Sequence, residues 1–574
     1  MINTRQDKIS VPRRNQPAQE KNLRIIPLGG CEEVGRNMTV FEYGNDIVIL
    51  DMGLQFPEED MPGIDYVIPN VEYLKGKEKN IRGVIFSHGH LDHIGAAPIL
   101  LNKLGNPQII GRPLTLEMVK HRVEDTYRGA SKKLKTTYIQ DLNQKINLGS
   151  FTLSFFAIDH SVMDAVGVIL ETPSVTVIHP GDWTIEKNPI GRKALSYTHL
   201  SNLKRPTILM LESLGSTDSE DQVTEEEMLK NLYMLMEKAP GRTVIATFSS
   251  QIERIKQILE FAARTNRKVA LDGFSMKLNV ELATKLGYIK IPKGVIITTD
   301  KAHTYPDNKV VIICTGAQGE EMAALSRIVA GNHKHIKIKK ADTIIFSSSV
   351  IPGNERTVQR LKDNLYRQSD HVYHSGIIDV HMSGHGNIGG IKQMLNEIRP
   401  DYFIPVYGNH YMLKEAAKIA YEIGFRKDRI IVPDNGSIIK FTHQTAEVLK
   451  EKAPTNYIFV DGLGIGDVGE IVLRDRQMLA EDGMFVIVAI IDKKTGQVKG
   501  SPDIISRGFV YLRESKDLLS QTRRKVIEIV DKTAGHGGAV NWTYVKDEIR
   551  NKIGDFLATK TSRRPMILPV VIEV

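Results

Sequence analysis

The stretch FSHGHLDHIGAAPIL, residues 86–100, sets His88, His90, Asp92 and His93 within six positions. The residues just before it, RGVIF, are short, apolar and β-branched, which reads as a buried strand. The ligand-type side chains therefore sit where a strand gives way to a loop, the usual place for functional residues. In a tight loop His88 and His90 can turn to one metal ion while Asp92 and His93 turn to a second. Imidazole and carboxylate donors suit Zn²⁺, with Mn²⁺ as the alternative. Two ions need further ligands, and two stand at later strand ends. His160 closes FTLSFFAID and Asp182 follows VTVIHPG. Their order after the cluster points to His160 for the first ion and to Asp182 as a bridge.

At 574 residues the chain is too long for one core, and three or four domains are expected. A hydrophobic content of 41% with 25% charge is ordinary for globular protein. No apolar run approaches a membrane span. The start, MINTRQDKISVPRRNQPAQEKN, lacks the apolar segment of a signal peptide and reads as a disordered basic tail over 1–22. Cys31 and Cys314 alone cannot form a disulfide framework and suit a reducing cytoplasm. The net charge of +8 is compatible with a polyanionic partner without specifying one.

Residues 23–210 alternate β-rich runs with turns, and their ends deliver Gly, Asp and His to one edge. The middle differs. TEEEMLKNLYMLMEKAPG opens on a capping box, Thr224 with Glu227. Strands and helices then alternate, which argues for a parallel, doubly wound sheet. Residues 371–450 return to strand-end histidines in IIDVHMSGHG and YFIPVYGNH. From 455 onward EIVLRDRQ, MFVIVAIID and GFVYLRES look like antiparallel strands, with helices at 516–534 and 542–558, a separate small α+β domain.

The order HGHLDH, later His, then GD resembles the metallo-β-lactamase fold. LGGCEEVGRNM, FSSSVIPGNE, TGAQGEEMAALSR, HMSGHG and ISRGFVYLRES resemble, within it, the ribonuclease J family of β-CASP nucleases. The resemblance implies an α/β chain: a metallo-β-lactamase αββα sandwich at 23–210 and 371–450, a β-CASP domain inserted at 211–370, and a linker with the C-terminal α+β domain at 451–574. That last domain would form a homodimer or homotetramer. Two Zn²⁺ per subunit are implied, one on His88, His90 and His160, the other on Asp92 and His93, with Asp182 between them. Asp92 or Asp182 would accept a proton from water. His385 would protonate the leaving oxygen, supported by Glu212, and His381, Met382, Ser383, Gly384 and His385 would grip a phosphate. The implied activity is 5′→3′ exonucleolytic on single-stranded RNA with a 5′-monophosphate, with internal cuts as well, in RNA maturation and mRNA decay. It would act in the cytoplasm, beside other RNA-decay proteins.

The chain departs from the family in two places. Where the family has a metal-binding His, PVYGNH has Tyr407, and a neutral phenol, with a reference pKa of about 10, is a poor zinc ligand. His410 is expected to take its place; the alternative is a vacant position and slower turnover. In GFSM, Phe274 stands where the family often has Arg, which would weaken one phosphate contact. Arg254 and Lys256 could line an RNA groove or form a solvated helix face. Two rival readings are a hydrolase of thioesters or lactams and a non-enzymatic scaffold for RNA decay. The long insertion and basic charge oppose the first, and the intact HGHLDH opposes the second.

Overall fold

In the computed structural model, which describes residues 22–320, 322–351, 353–510, 514–533 and 541–574, RGVIF lies in the strand Ile81–Phe86. It runs parallel to Asp46–Leu50 and Ile109–Gly111. The eight-stranded sheet around it is ordered Ala446–Lys452, Ser437–Phe441, Leu23–Gly29, Met38–Tyr43, Asp46–Leu50, Ile81–Phe86, Ile109–Gly111, Thr136–Tyr138. A six-stranded sheet is ordered Tyr402–Val406, Thr207–Glu212, Thr176–His179, Val166–Glu171, Phe151–Ala157, Ile146–Leu148. Phe41, Val48, Leu50 and Ile85 of the first sheet meet Leu153, Phe155, Val168 and Met210 of the second in one core. Leu209, Leu211 and Phe403 point the other way, onto the helices Ile388–Ile398 and His410–Glu422. The second sheet is buried on both faces here, which is why TILMLE reads as one apolar run. Helix Pro113–Thr126 packs on the outer side of the first sheet, against Ile109–Gly111. The result is the expected αββα sandwich.

The insertion holds a wholly parallel sheet ordered Ile296–Ile297, Lys268–Asp272, Val310–Cys314, Thr243–Ala246, Thr343–Phe346, His371–Tyr373. Alternate residues face opposite layers. Ile245, Val269, Leu271 and Ile313 pack on helices Glu225–Lys238, Ile252–Arg264 and Phe274–Lys285. Val244, Ala270, Ile312 and Phe346 pack on Ala324–Val329 and Glu355–Tyr366. The capping box at Thr224 and Glu227 forms with both hydrogen bonds. Two expected boundaries move. Thr207–Glu212 pairs with Tyr402–Val406, so the lactamase sheet runs past 210, and His371–Tyr373 pairs with Thr343–Phe346, so the insertion runs past 370.

A buried ion pair ties this insertion together. Arg242 donates to both oxygens of Asp342, at 3.0 and 2.6 Å, and the Lys339 amide donates to Asp342 at 2.8 Å. Asp342→Ala leaves the guanidinium buried without its counter-charge. It is expected to cost about 3–5 kcal/mol, read as a lower urea midpoint at unchanged m-value.

The chain divides into two compact units, and the second joins residues 55–68 to 457–574. The short strand Tyr66–Ile68 pairs with Ile458–Asp461, a partnership nearly 400 positions apart that no local pattern announces. Met484–Ile491 pairs antiparallel with Asp503–Arg507 and parallel with Met566–Glu573, so the expected antiparallel sheet is mixed. Helices Lys516–Thr533 and Trp542–Thr561 cover one face. EIVLRDRQ, expected as a strand, lies in the helix Glu470–Glu481. Its β-branched opening suggests extension, but Leu473 and Arg476, one turn apart, meet the same segment: Leu473 packs beside Met61 and Ile64, and Arg476 reaches the Pro62 and Gly63 carbonyls. The strand expected at GFVYLRES ends before it, at Arg507, and residues 511–513 lie outside the described residues. So does the expected tail, apart from Asn22.

Candidate metal centre

Strand Ile81–Phe86 runs into Ser87, His88 and a short helix, Leu91–Ile94, that carries Asp92 and His93. The loop packs tightly on its neighbours: a Cβ added at Gly53 would lie 1.6 Å from the Asp92 carbonyl oxygen. His88 Nε2 lies 3.1 Å from His90 Nδ1, and His160 Nε2 lies 3.0 Å from the same atom. Asp182 Oδ2 closes the group, 3.7 Å from His88 Nε2 and 3.9 Å from His160 Nε2. Four donors held tetrahedrally about 2.0–2.1 Å from an ion would stand about 3.3 Å apart. The residues present fit a metal.

The far side of each imidazole is fixed by a partner. Ser87 Oγ donates to Asp51 and so accepts from His88 Nδ1, at 3.0 Å. His160 Nδ1 donates to the Gly384 carbonyl at 2.7 Å, and His93 Nδ1 to Asp51 Oδ2 at 2.8 Å. His90 Nε2 meets Ser250 Oγ at 3.0 Å. These partners leave lone pairs of His88, His90 and His160 converging on one point, an arrangement that favours a cation. Burial holds His88 well below the usual imidazole range, His90 at about 4 and His160 at about 3, the neutral form a ligand needs.

A second group shares Asp182. His93 Nε2 lies 3.2 Å from Asp182 Oδ1 and 3.5 Å from Asp92 Oδ2. Burial opposes charge on His93, but Asp182, Asp92 and Asp51 outweigh it and hold it well above the usual range. The pocket favours positive charge. Tyr407 stands beside this group, its ring 5.3 Å from that of His93 and 5.2 Å from that of His179. Burial, with Asp51 and Asp182 nearby, pushes its phenol well above the usual range, so it stays neutral.

The expectation that His410 replaces the missing ligand is corrected. Residue 410 opens the helix His410–Glu422, which carries its side chain outward. It is 52% exposed and groups with Glu32 and Asp434, away from Asp92 and His93.

Glu212 ends the strand Thr207–Glu212, fully buried, with Oε1 accepting from the Leu214 amide at 2.6 Å. His385 Nδ1 lies 3.7 Å from Glu212 Oε1 and 3.9 Å from Asp182 Oδ2. Burial works against protonation of His385, yet Glu212 and Asp182 outweigh it and push it up to about 9. The imidazole is therefore protonated at neutral pH, as a proton donor must be. In His381–His385, Gly384 accepts from His160, and the His385 amide donates to Ser383 Oγ at 3.1 Å. Met382 is half-buried within it, and burial beside Arg254 holds His381 at about 3. Arg254 lines no open groove: it is buried, donating to Ser347 Oγ at 2.7 Å and to the Val380 carbonyl. Lys256 pairs with Glu253 at 3.0 Å. Phe274 is 75% exposed, beside His121.

Sequence reasoning missed Asp51, Ser87, Asn37 and Ser250. Asp51 ends the run DIVILD, as Asp182 follows another, and that was its signal. Asn37 lies in LGGCEEVGRNM, and its amide nitrogen is 2.9 Å from His93 Nε2 and 3.2 Å from Asp92 Oδ2. Ser250 reaches His90 from 160 positions away, with no signal in the chain.

Family models match along the chain: "Metallo-beta-lactamase superfamily" at residues 32–224, "Ribonuclease J, beta-CASP domain" at 240–365, "Zn-dependent metallo-hydrolase RNA specificity domain" at 371–433 and "Ribonuclease J C-terminal domain" at 471–574. Ribonuclease J 1 of Streptococcus pyogenes is 36% identical over 563 residues, 97% of this chain and 99% of its own. Ribonuclease J2 of Bacillus subtilis is 36% identical over 563 residues, 96% of this chain and 99% of its own. Among solved structures, a protein of unknown function from Enterococcus faecalis superposes with a TM-score of 0.53 at 14% identity, over 73% of this chain and all of its own, a likeness of fold.

Proposed function

Because the chain belongs to the ribonuclease J family, metal-dependent ribonucleases of the metallo-β-lactamase and β-CASP architecture, we propose that it degrades single-stranded RNA from the 5′ end, preferring a 5′-monophosphate, and also cuts internally, in RNA maturation and mRNA decay. The observation that carries this reading is the pair of donor groups sharing Asp182, with His385 and Glu212 alongside.

Zinc suits the nitrogen and oxygen donors of His88, His90, His160 and Asp182, and of Asp92, His93 and Asp182. Bound there, the ions would supply a water acidic enough to ionise near neutral pH and charge to offset that of the phosphodiester. Asp92 or Asp182 takes the proton of the attacking water. Its oxygen bonds to phosphorus, the bond from phosphorus to the 3′ oxygen breaks, and His385 gives that oxygen its proton. Glu212 keeps His385 charged and oriented. The segment from His381 to His385 would hold the terminal phosphate one nucleotide away, so that mononucleotides are released.

Self-association through the C-terminal unit is supported by its sheet. One face packs on helices, while Ile490, Ile505, Leu568, Val570 and Ile572 stay about 40% exposed on the other (41, 41, 39, 40 and 45%). Buried, unpaired Cys31 and Cys314 support a reducing compartment such as the cytoplasm. No helix among the described residues is long and apolar enough to cross a membrane.

The test is a labelled single-stranded RNA carrying either a 5′-monophosphate or a 5′-triphosphate, incubated with and without chelator. Mononucleotides from the monophosphorylated strand, slower loss of the other, and full inhibition by chelator are expected. Intact RNA together with hydrolysis of a thioester would favour a small-molecule hydrolase instead.

A further inference from the structure

The two donor groups are not equivalent. The first has a carboxylate and three imidazoles, each imidazole held on its far side by a hydrogen-bond partner. The second has one imidazole and two carboxylates, one of them the shared Asp182. Asp51 is taken up behind His93, at its Nδ1, and the groups beside His93 Nε2 and Asp92 offer no further charged donor. The Asn37 amide lies against both His93 and Asp92, and Tyr407 closes the other side.

Tyr407 occupies its place firmly. Its side chain is 2% exposed, and its hydroxyl has no hydrogen-bond partner among the described residues. Its backbone is left-handed, φ 54°, a conformation uncommon for a bulky residue and one that tends to persist at functional positions. Gly30 makes room for the ring: a Cβ there would meet Tyr407 Cδ1 at 2.8 Å. The loop thus keeps a backbone suited to presenting a side chain to the centre, while the side chain it presents is a poor donor. His410, the nearest imidazole in sequence, points elsewhere.

We propose that Tyr407 makes the two metal positions unequal: one resident ion on His88, His90, His160 and Asp182, and a second position, on Asp92, His93 and Asp182, that fills only at higher metal concentration. The inference rests on the metal-hydrolase reading above. It gives the chain a dependence on metal supply, because one ion stays with the protein while the other comes and goes. Exchange of Tyr407 for histidine supplies an imidazole at a position whose left-handed backbone histidine tolerates well.

The test is calorimetric titration of metal-stripped, full-length protein with zinc chloride, with zinc content after desalting as an independent count. The wild type is expected to bind one ion tightly and a second at least about 100-fold more weakly, since loss of a direct ligand should exceed the 10–100-fold effect of an outer partner. It should retain one ion per chain after desalting. Tyr407→His is expected to tighten the second ion at least about tenfold and to retain two. Tyr407→Phe, which deletes only the hydroxyl, is expected to leave both affinities as they were. Two equally tight ions in the wild type would overturn the proposal, and so would loss of the second ion in Tyr407→Phe, which would make the phenol a ligand. Absence of any tight ion would overturn the metal-hydrolase reading itself, and the inequality with it.

Discussion

Asp182→Asn is expected to lower turnover of 5′-monophosphorylated RNA by at least about 10³-fold. Its two oxygens face the two groups, Oδ2 toward His88 and His160 and Oδ1 toward His93. No other side chain belongs to both donor groups found among the described residues. Asparagine keeps the shape and removes the charge. Burial alone would raise this carboxyl, but His93, through its charge and its hydrogen bond, pulls it well below the usual range, so its negative charge is built into the site. Zinc retained after desalting should fall with activity, whereas thermal melting should show a folded protein. Activity within tenfold of wild type would remove Asp182 from the machinery.

His385→Ala is expected to lower kcat by about 10²–10⁴-fold, the range for loss of a positioned proton donor, with little loss of zinc. The distinguishing measurement uses RNA whose scissile 3′ oxygen is replaced by sulfur. A thiolate, with a reference pKa of about 8.5, leaves without a proton far more readily than an alkoxide. His385→Ala should recover most of its rate on that substrate and Asp182→Asn should not. Equal losses on both substrates would contradict the assignment of His385 as the acid. Glu212 acts through His385, 3.7 Å away, so Glu212→Gln should show the same pattern more weakly.

The first donor group was legible in the chain because three of its features are local. A buried strand, a glycine-containing loop and closely spaced imidazoles all lie in one short segment, and His160 and Asp182 repeat the strand-end position. The parallel insertion was legible for the same reason, since strand and helix periods alternate over distances shorter than one βα unit. What escaped was long-range. Residues 55–68 join the C-terminal unit through a strand of three residues, Tyr66–Ile68, too short to carry a period. Ser250 and Gly384 orient His90 and His160 from elements far along the chain. The direction of a side chain was equally hidden. Tyr407 and His410 are three positions apart, but the left-handed backbone at Tyr407, Gly408 at φ 145° and a helix start turn one inward and the other outward. Spacing alone made His410 a plausible substitute, and the helix places it beside Glu32 and Asp434 instead.

The most direct test of the metal centre is anomalous diffraction at the zinc edge from crystals of the zinc-loaded chain. The account predicts a strong peak among His88 Nε2, His90 Nδ1, His160 Nε2 and Asp182 Oδ2. A peak confined to Glu32, His410 and Asp434, or none between His88 and Asp182, would contradict it.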